Sequence, residues 1–257
     1  MKKSILSFSL FFMAISPVLA QLKLTENNID EIVKAMTLEE KSLLVVANGR
    51  SSTMGAAIIA QYGIIGEHAD FVEGAAGSTM QISRLGITPT VMADGPAGLR
   101  INATRKDDSN TYYCTGFPTG TSLACSWNTD LIYNVGASIG NEVKEYGVDL
   151  LLAPGLNIMR NPLGGRNYEY YSEDPVVSGL VAAAYVNGVQ SQGVGADIKH
   201  YAVNSQETNR LAVNEVVDQR SLREIYLKGF EIAVKESKPW TIMSSYNKLN
   251  GKFTQQD

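Results

Sequence analysis

Between Leu150 and Asn209 the chain alternates apolar runs with polar clusters in an order that few folds accommodate. Leu150-Leu151-Leu152-Ala153 stops at Pro154 and feeds a long polar loop. That loop carries Arg160-Asn161-Pro162-Leu163-Gly164-Gly165-Arg166-Asn167-Tyr168-Glu169 and then Tyr171-Ser172-Glu173-Asp174-Pro175. Val176 to Gln192 has the length and composition of a helix, and Val194-Gly195-Ala196-Asp197-Ile198 is a second apolar run that stops at Lys199-His200-Tyr201-Ala202-Val203-Asn204. Strand, polar loop, helix, strand, polar loop is a βα repeat. In α/β barrels and open parallel sheets the chemistry of such repeats sits at the carboxyl ends of the strands.

The same register extends both ways. Thr88 to Ala93 reads as an earlier strand, followed by the Gly/Pro turn Asp94-Gly95-Pro96-Ala97-Gly98-Leu99-Arg100 and a loop from Asn102 to Thr121. A helix is expected through Tyr146 with Leu131, Val135, Ile139 and Val143 on its apolar face, then a strand at Asp149–Ala153. A helix over about Arg220–Lys235, its apolar face made by Leu222, Ile225, Phe230, Ile232 and Ala233, precedes the strand Trp240–Ser244. Upstream, Thr37-Leu38-Glu39-Glu40 has the form of a capping box after an amphipathic run at Ile29–Met36, and Gly49–Gly86 reads as short helices and loops. Strand starts near 88, 149, 194 and 241, with no linker between them, predict one α/β domain. The expected architecture is a (β/α)8 TIM-barrel-like fold in which about the first four or five strands are present. A complete barrel takes about 250 residues and eight strands, and the polar stretch Asn250–Asp257 stands where a helix is expected, so the reading is of a barrel cut short.

Composition narrows the partners. A formal charge of −4 in 257 residues, with no Lys/Arg cluster beyond the N-terminus, argues against nucleic acid. Residues 1–20 have the build of a cleaved secretory signal: Lys2 and Lys3, the apolar run Ile5–Ile15, and Val18-Leu19-Ala20 before Gln21. The expectation is an exported mature chain, residues 21–257, periplasmic or extracellular, with no membrane contact once the signal is removed. Cys114 and Cys125 either pair as a disulfide, which export permits, or serve as small buried residues. With His68 and His200 the only histidines and neither at ligand spacing from a cysteine, no metal site and no cofactor are expected.

Asp94, Arg166, Lys199 and His200 all lie just past strand ends, so a shared sheet brings them to one rim despite their separation in sequence. Such a rim suits a polyhydroxylated ligand, because hydroxyl groups need donors and acceptors in fixed directions and a carboxylate accepts two at once. Plainer roles stand beside these. Asp94 also fits a turn closer before Gly95, Arg166 and Glu169 fit a structural ion pair, Glu173 and Asp174 fit a helix cap before Pro175, and Tyr246 fits a half-buried aromatic. Lys199-His200 is harder to assign to structure alone, since two adjacent cationic side chains at the end of an apolar strand bury poorly.

Asp94-Gly95-Pro96, Gly164-Gly165-Arg166-Asn167-Tyr168-Glu169, Ser172-Glu173-Asp174-Pro175, Lys199-His200 and Ser245-Tyr246-Asn247 together resemble, in order, the motifs of the glycoside hydrolase family three β-glucosidases, from about Thr37 to the last residue. The resemblance implies a retaining exo-glycosidase that removes a terminal β-linked sugar, usually glucose, from glucosides or oligosaccharides. It implies that Asp94, Arg166, Lys199 and His200 hydrogen-bond the sugar in the first subsite, with Arg100, Met243 and Tyr246 lining the pocket. Retaining hydrolysis uses two carboxyl groups about 5–5.5 Å apart. The family's nucleophile, an Asp in a Ser-Asp-Trp-like motif, and its acid/base are expected beyond residue 257, so the chain is expected to carry the sugar-binding half of a site, inactive alone and completed by the missing C-terminal part of the same protein. Two alternatives remain open: a β-xylosidase or other exo-β-glycosidase of the same family, and a secreted sugar-binding protein without catalysis.

Overall fold

The computed structural model describes residues 22–46, 48–49 and 71–256. The segment read as a secretory signal, 1–20, and most of the stretch expected as short helices and loops, lie outside the described residues.

Two short antiparallel strands, β1 (Asn48–Gly49) and β2 (Gly77–Ser78), lead onto a parallel run of β3 (Val91–Asp94), β4 (Leu150–Leu152) and β5 (Gly195–Tyr201). A separate two-residue strand, β6 (Asn214–Glu215), precedes β7 (Thr241–Ser244), which adds to the outer side of β5 and completes the order β1-β2-β3-β4-β5-β7. This is the expected barrel-type register, with each parallel strand beginning within a few residues of its predicted start. β5 is buried along six of its seven residues, as a parallel strand covered on both faces must be.

Helices alternate with the parallel strands along the chain. α1 (Ile29–Ala35) and α2 (Leu38–Val45) come first, and Thr37 and Glu40 form the reciprocal capping box that their spacing predicts. After the short α3 (Gly120–Ala124), the long helices α4 (Thr129–Glu145) and α5 (Pro175–Gln190) and then α6 (Lys228–Ser237) pack against one another, and Ile132, Ile139, Val143, Tyr185, Val186, Val189, Phe230 and Ala233 fill the core between them and the strands. The expected stripe on α4 is rotated: Ile132 is buried and Leu131 exposed. Glycines cause this shift, because a Cβ on Gly136 would stand 2.4 Å from the Tyr185 carbonyl oxygen and one on Gly188 would stand 2.1 Å from that of Tyr133. The two backbones therefore meet on the glycine face, a contact that an apolar-residue count overlooks.

Two further differences have local causes. The helix read as continuous from Arg220 is interrupted. Asp218 caps a turn at Gln219–Ser221, a π-turn follows at Leu222–Tyr226, and only then does α6 begin, which turns Ile225 outward. The polar stretch after β7 is a β-hairpin, not a tail. β8 (Lys248–Leu249) and β9 (Lys252–Phe253) are joined by Asn250-Gly251, both at positive φ (49° and 92°), and β8 also pairs with β6. Asn-Gly between two short strands is a strong hairpin signal.

Cys114 and Cys125 are free, and Cys125 is exposed, so neither reading of the pair, bridge or two buried small residues, survives. Burial pushes the half-buried Cys114 thiol up from its ordinary range.

The capping reading of Glu173 and Asp174 resolves onto one of them. Asp174 Oδ1 accepts from the amides of Val176 (2.7 Å) and Val177 (3.1 Å), whereas Glu173 is exposed. Asp174→Ala is therefore expected to cost about 1 kcal/mol of stability, and Glu173→Ala less than about 0.5 kcal/mol. Denaturant melts of the two variants check this; equal losses would contradict it.

Candidate sugar-binding site

Asp94 is the last residue of β3 and opens a turn that returns on itself, the Arg100 amide donating to the Asp94 carbonyl oxygen at 2.9 Å. The turn requires Gly95: its φ is 155°, and a Cβ there would meet the Gly98 carbonyl oxygen at 2.0 Å. Lys199, on β5, reaches past β4 to place Nζ 2.6 Å from Asp94 Oδ1, with its own side chain only 3% exposed. The Arg100 guanidinium, largely in solvent, holds Oδ2. Burial of Asp94 raises its pKa, but Lys199 and Arg100 together outweigh this and hold the carboxyl below its ordinary value. It is an anion with a cation on each oxygen.

The loop after β4 is fastened to the same place. The Lys199 amide donates to the Pro154 carbonyl oxygen and the Leu156 amide to that of Lys199, each at 2.9 Å. Asn157 brackets His200 through both backbone groups, Oδ1 accepting from its amide at 2.7 Å and Nδ2 donating to its carbonyl at 2.9 Å. A cis peptide bond joins Lys199 to His200. His200 is buried beside Tyr170, whose hydroxyl lies 3.2 Å from Nδ1. Burial first, then the positive charges of Arg166, Lys199 and Arg210, drive its pKa down to about 2. The expectation of two adjacent cations is corrected accordingly: Lys199 carries the charge, and His200 is a neutral ring with one donor and one acceptor nitrogen.

Arg166 is paired with Glu169, which is 5% exposed, so the structural reading of that pair holds. Both groups nevertheless adjoin the site, since the charge of Arg166 acts on His200 and on Tyr170. From Tyr170 a polar chain runs along the rim. Asn204 Nδ2 donates to the Tyr170 hydroxyl (3.1 Å) and to Glu207 Oε1 (3.1 Å), Arg210 Nη1 donates to Glu207 Oε2 (2.8 Å), and the Arg210 guanidinium stands 5.1 Å from the centre of the Tyr246 ring. Met243 is the register partner of Lys199 on β7. The loops at 164–167 and 204–207, with Tyr170, enclose a shallow polar cleft.

All seven candidate residues therefore gather at the carboxyl ends of the parallel strands. Asp94, Lys199 and Arg100 are bonded to one another, His200 and Met243 sit against Lys199, Arg166 acts on His200 through its charge, and Tyr246 joins through Arg210. Sequence reasoning did not single out Tyr170, Asn157, Glu207 or Arg210. The polar cluster at Lys199–Asn204 pointed to that loop, but its continuation to Arg210 has no periodicity to mark it.

The neutral state of His200 has a direct consequence. No proton is expected on the native ring between pH 8 and pH 4, whereas in the unfolded chain it titrates near pH 6.5. The sign follows: as pH falls below about 6.5 only the unfolded state gains the proton, so this group lowers stability by about 1.4 kcal/mol per pH unit. An imidazole resonance that moves with an apparent pKa near 6.5 in the folded chain would contradict the geometry.

The family model for the glycosyl hydrolase family 3 N terminal domain matches residues 79–256. Among curated relatives, thermostable β-glucosidase B of Acetivibrio thermocellus is 44% identical over 233 residues, which is 90% of this chain and 27% of that protein. An exo-α-(1→6)-L-arabinopyranosidase of Bifidobacterium longum is 47% identical over 176 residues, 67% of this chain and 23% of that one. Among solved structures, β-glucosidase 3B from Thermotoga neapolitana, in complex with α-D-glucose, superposes with a TM-score of 0.81 at 57% identity, covering 89% of this chain and 30% of that chain. The chain thus spans under a third of the length of these relatives. The motif order, the sheet register and the extent of these matches agree: the chain belongs to glycosyl hydrolase family 3, and residues 79–256 correspond to that family's N-terminal domain.

Proposed function

We propose that the chain supplies the sugar-binding side of an exo-acting, retaining β-glucosidase that releases terminal β-D-glucosyl residues. The observation that carries this reading is the Asp94 carboxylate, fixed at a strand end between Lys199 and Arg100 and partly open to solvent. A carboxylate with fixed lone pairs and an adjacent ammonium offers paired acceptors and donors to neighbouring hydroxyl groups of a pyranose ring. Neutral His200 adds a hydrogen-bonding group without further charge. The carboxylates of the rim are engaged by cations, Asp94 by Lys199 and Arg100, Glu169 by Arg166 and Glu207 by Arg210. That supports binding rather than attack as their role, and the nucleophile and the acid/base are assigned to the part of the relatives' length that this chain does not span.

The β-glucosidases among the relatives support glucose over a pentose. The arabinopyranosidase relative makes pentopyranosides the class to compare. The test is competition among D-glucose, D-xylose and L-arabinose for the chain, followed by chemical-shift changes at Lys199 and His200. Glucose is expected to bind most tightly and to lose at least about tenfold in affinity in Asp94→Asn, the value of one charge-assisted hydrogen bond. Tighter binding of either pentose would move the substrate class, and an unaffected Asp94→Asn variant would remove the site. The composition of residues 1–20 supports export, and a mature protein whose N-terminus is not Gln21 would count against it.

A further inference from the structure

Asp197 has no part in the site as described, yet it lies directly beneath it. It is 3% exposed, in the middle of β5, two residues before Lys199 and so on the same side of the strand. Its Oδ1 accepts the Thr241 hydroxyl from β7, and its Oδ2 is buried with no hydrogen-bond partner. An orphaned carboxylate oxygen in the interior is costly unless a charge or a donor answers it. The cation on the same side of the strand is Lys199, which donates to Asp94 and whose charge partly offsets the burial of Asp197.

We propose that Asp197 is a positioning residue of the sugar site, a second carboxylate that shares the Lys199 ammonium with Asp94 and holds it in place to donate to sugar hydroxyls beside Asp94. An ammonium has three donors, and Asp94 uses one of them on Oδ1. Asp94 keeps lone pairs for hydroxyl groups while it accepts from Lys199, so a second counter-ion adds a fixed direction for the ammonium. Held between two anions, Lys199 keeps a donor for the hydroxyl groups beside Asp94. The ligand in this inference rests on the sugar-binding reading above; the link between Asp197 and Lys199 does not.

The surroundings of Asp197 give the arrangement a pH dependence. On its own strand the charged neighbour is Lys199; β4 presents Leu150, Leu151 and Leu152, β7 presents Thr241, Ile242, Met243 and Ser244, and none of these is titratable. Asp94 on β3 acts through Lys199. Burial, only partly offset by Thr241 and Lys199, raises the Asp197 carboxyl from 3.8 to about 6. Above that pH the carboxylate competes for Lys199. Below it the neutral acid does not, and Lys199 is steadied by Asp94 alone.

The test uses the full 257-residue chain with its lysine side chains isotopically labelled, Lys199 being assigned by loss of its signal in Lys199→Arg. The Lys199 Cε and Nζ resonances are expected to step with an apparent pKa near 6, and the step is expected to vanish in Asp197→Asn. If that variant does not fold, Thr241→Val serves instead: losing the donor to the ionised form raises the Asp197 pKa, so the step moves to higher pH. Affinity for D-glucose is expected to fall about fivefold on the same titration and in Asp197→Asn at pH 7.5, the scale of one hydrogen bond. A Lys199 signal that stays flat from pH 5 to 7 would overturn the proposal, as would glucose affinity that ignores the step. Should D-glucose fail to bind at any pH, the sugar-binding reading fails, and with it Asp197's role toward a sugar, while the Lys199 titration still decides the coupling between the two side chains.

Discussion

Asp94→Ala should cost stability and ligand affinity together, and more of both than any neighbouring change. The substitution leaves the Lys199 ammonium, 3% exposed, without its hydrogen-bonded counter-ion. Breaking a buried ion pair from one side costs about 3–5 kcal/mol, and because the Asp94 side chain keeps 27% of its surface in solvent the lower end, about 3 kcal/mol, is expected. Arg100→Ala removes the other cation, but that side chain is 76% exposed, so its loss should fall below about 1 kcal/mol. The linkage has a definite sign. Asp94 has a lowered folded-state pKa, so its contribution is present above the unfolded value of 3.8 and is lost as pH falls through the folded one. On the proposed sugar-binding role, the carboxylate accepts from two hydroxyl groups at about 1.5–3 kcal/mol each, so kcat/KM of an enzyme containing this chain should fall at least about 100-fold. Urea melts at pH 7 and at pH 3, beside turnover, check both halves. Asp94→Ala that matches Arg100→Ala in stability would show that Lys199 is not held as the geometry states.

Glu169→Ala is expected to be the second severe change, and for a related reason. Glu169 is 5% exposed and its partner Arg166 is 19% exposed by side chain, so removing the carboxylate strands a guanidinium among Tyr170, His200 and the backbone of the loop after β4. The expected loss is about 3–5 kcal/mol. Glu169→Gln, which keeps the shape and one acceptor, should lose less. The double change Arg166→Met with Glu169→Leu should recover most of the stability while abolishing sugar affinity, because an ion pair replaced by apolar groups of similar volume is often neutral in stability. A double variant that still binds sugar would return Arg166 to a purely structural role.

What the sequence makes legible here is what periodicity and end-of-strand position encode. β3, β4, β5 and β7 are apolar runs that each stop at a polar residue or turn, and a parallel sheet puts those stops at one end, so Asp94, Arg166, Lys199 and His200 could be grouped across more than a hundred residues. Arg100, Met243 and Tyr246 followed from motif resemblance, because loop position alone does not aim a side chain. Features that depend on backbone approach were harder to read. Gly136 and Gly188 set the helix contact that rotates the face of α4, and a glycine leaves no mark on an apolar count. Asn250-Gly251 did carry a hairpin signal, but the barrel register called for a helix there and the local turn chemistry prevailed. The charge state of His200 was not legible at all. It depends on burial and on Arg166, Lys199 and Arg210 converging from separate loops, which only the folded chain brings about.

An exchange of parts would show whether this chain presents a working sugar-binding rim of its family. Residues 22–256 would replace the matching stretch of the Thermotoga neapolitana β-glucosidase, to which they are similar at 57% identity and a TM-score of 0.81. Turnover of an aryl β-D-glucoside, an aryl β-D-xyloside and an aryl α-L-arabinopyranoside would then be measured, with Asp94→Ala and Lys199→Ala as controls. The expected result is a folded chimera that prefers the β-glucoside and loses at least about 100-fold in kcat/KM in either variant. A folded chimera without turnover, or one whose turnover is indifferent to Asp94 and Lys199, would contradict it.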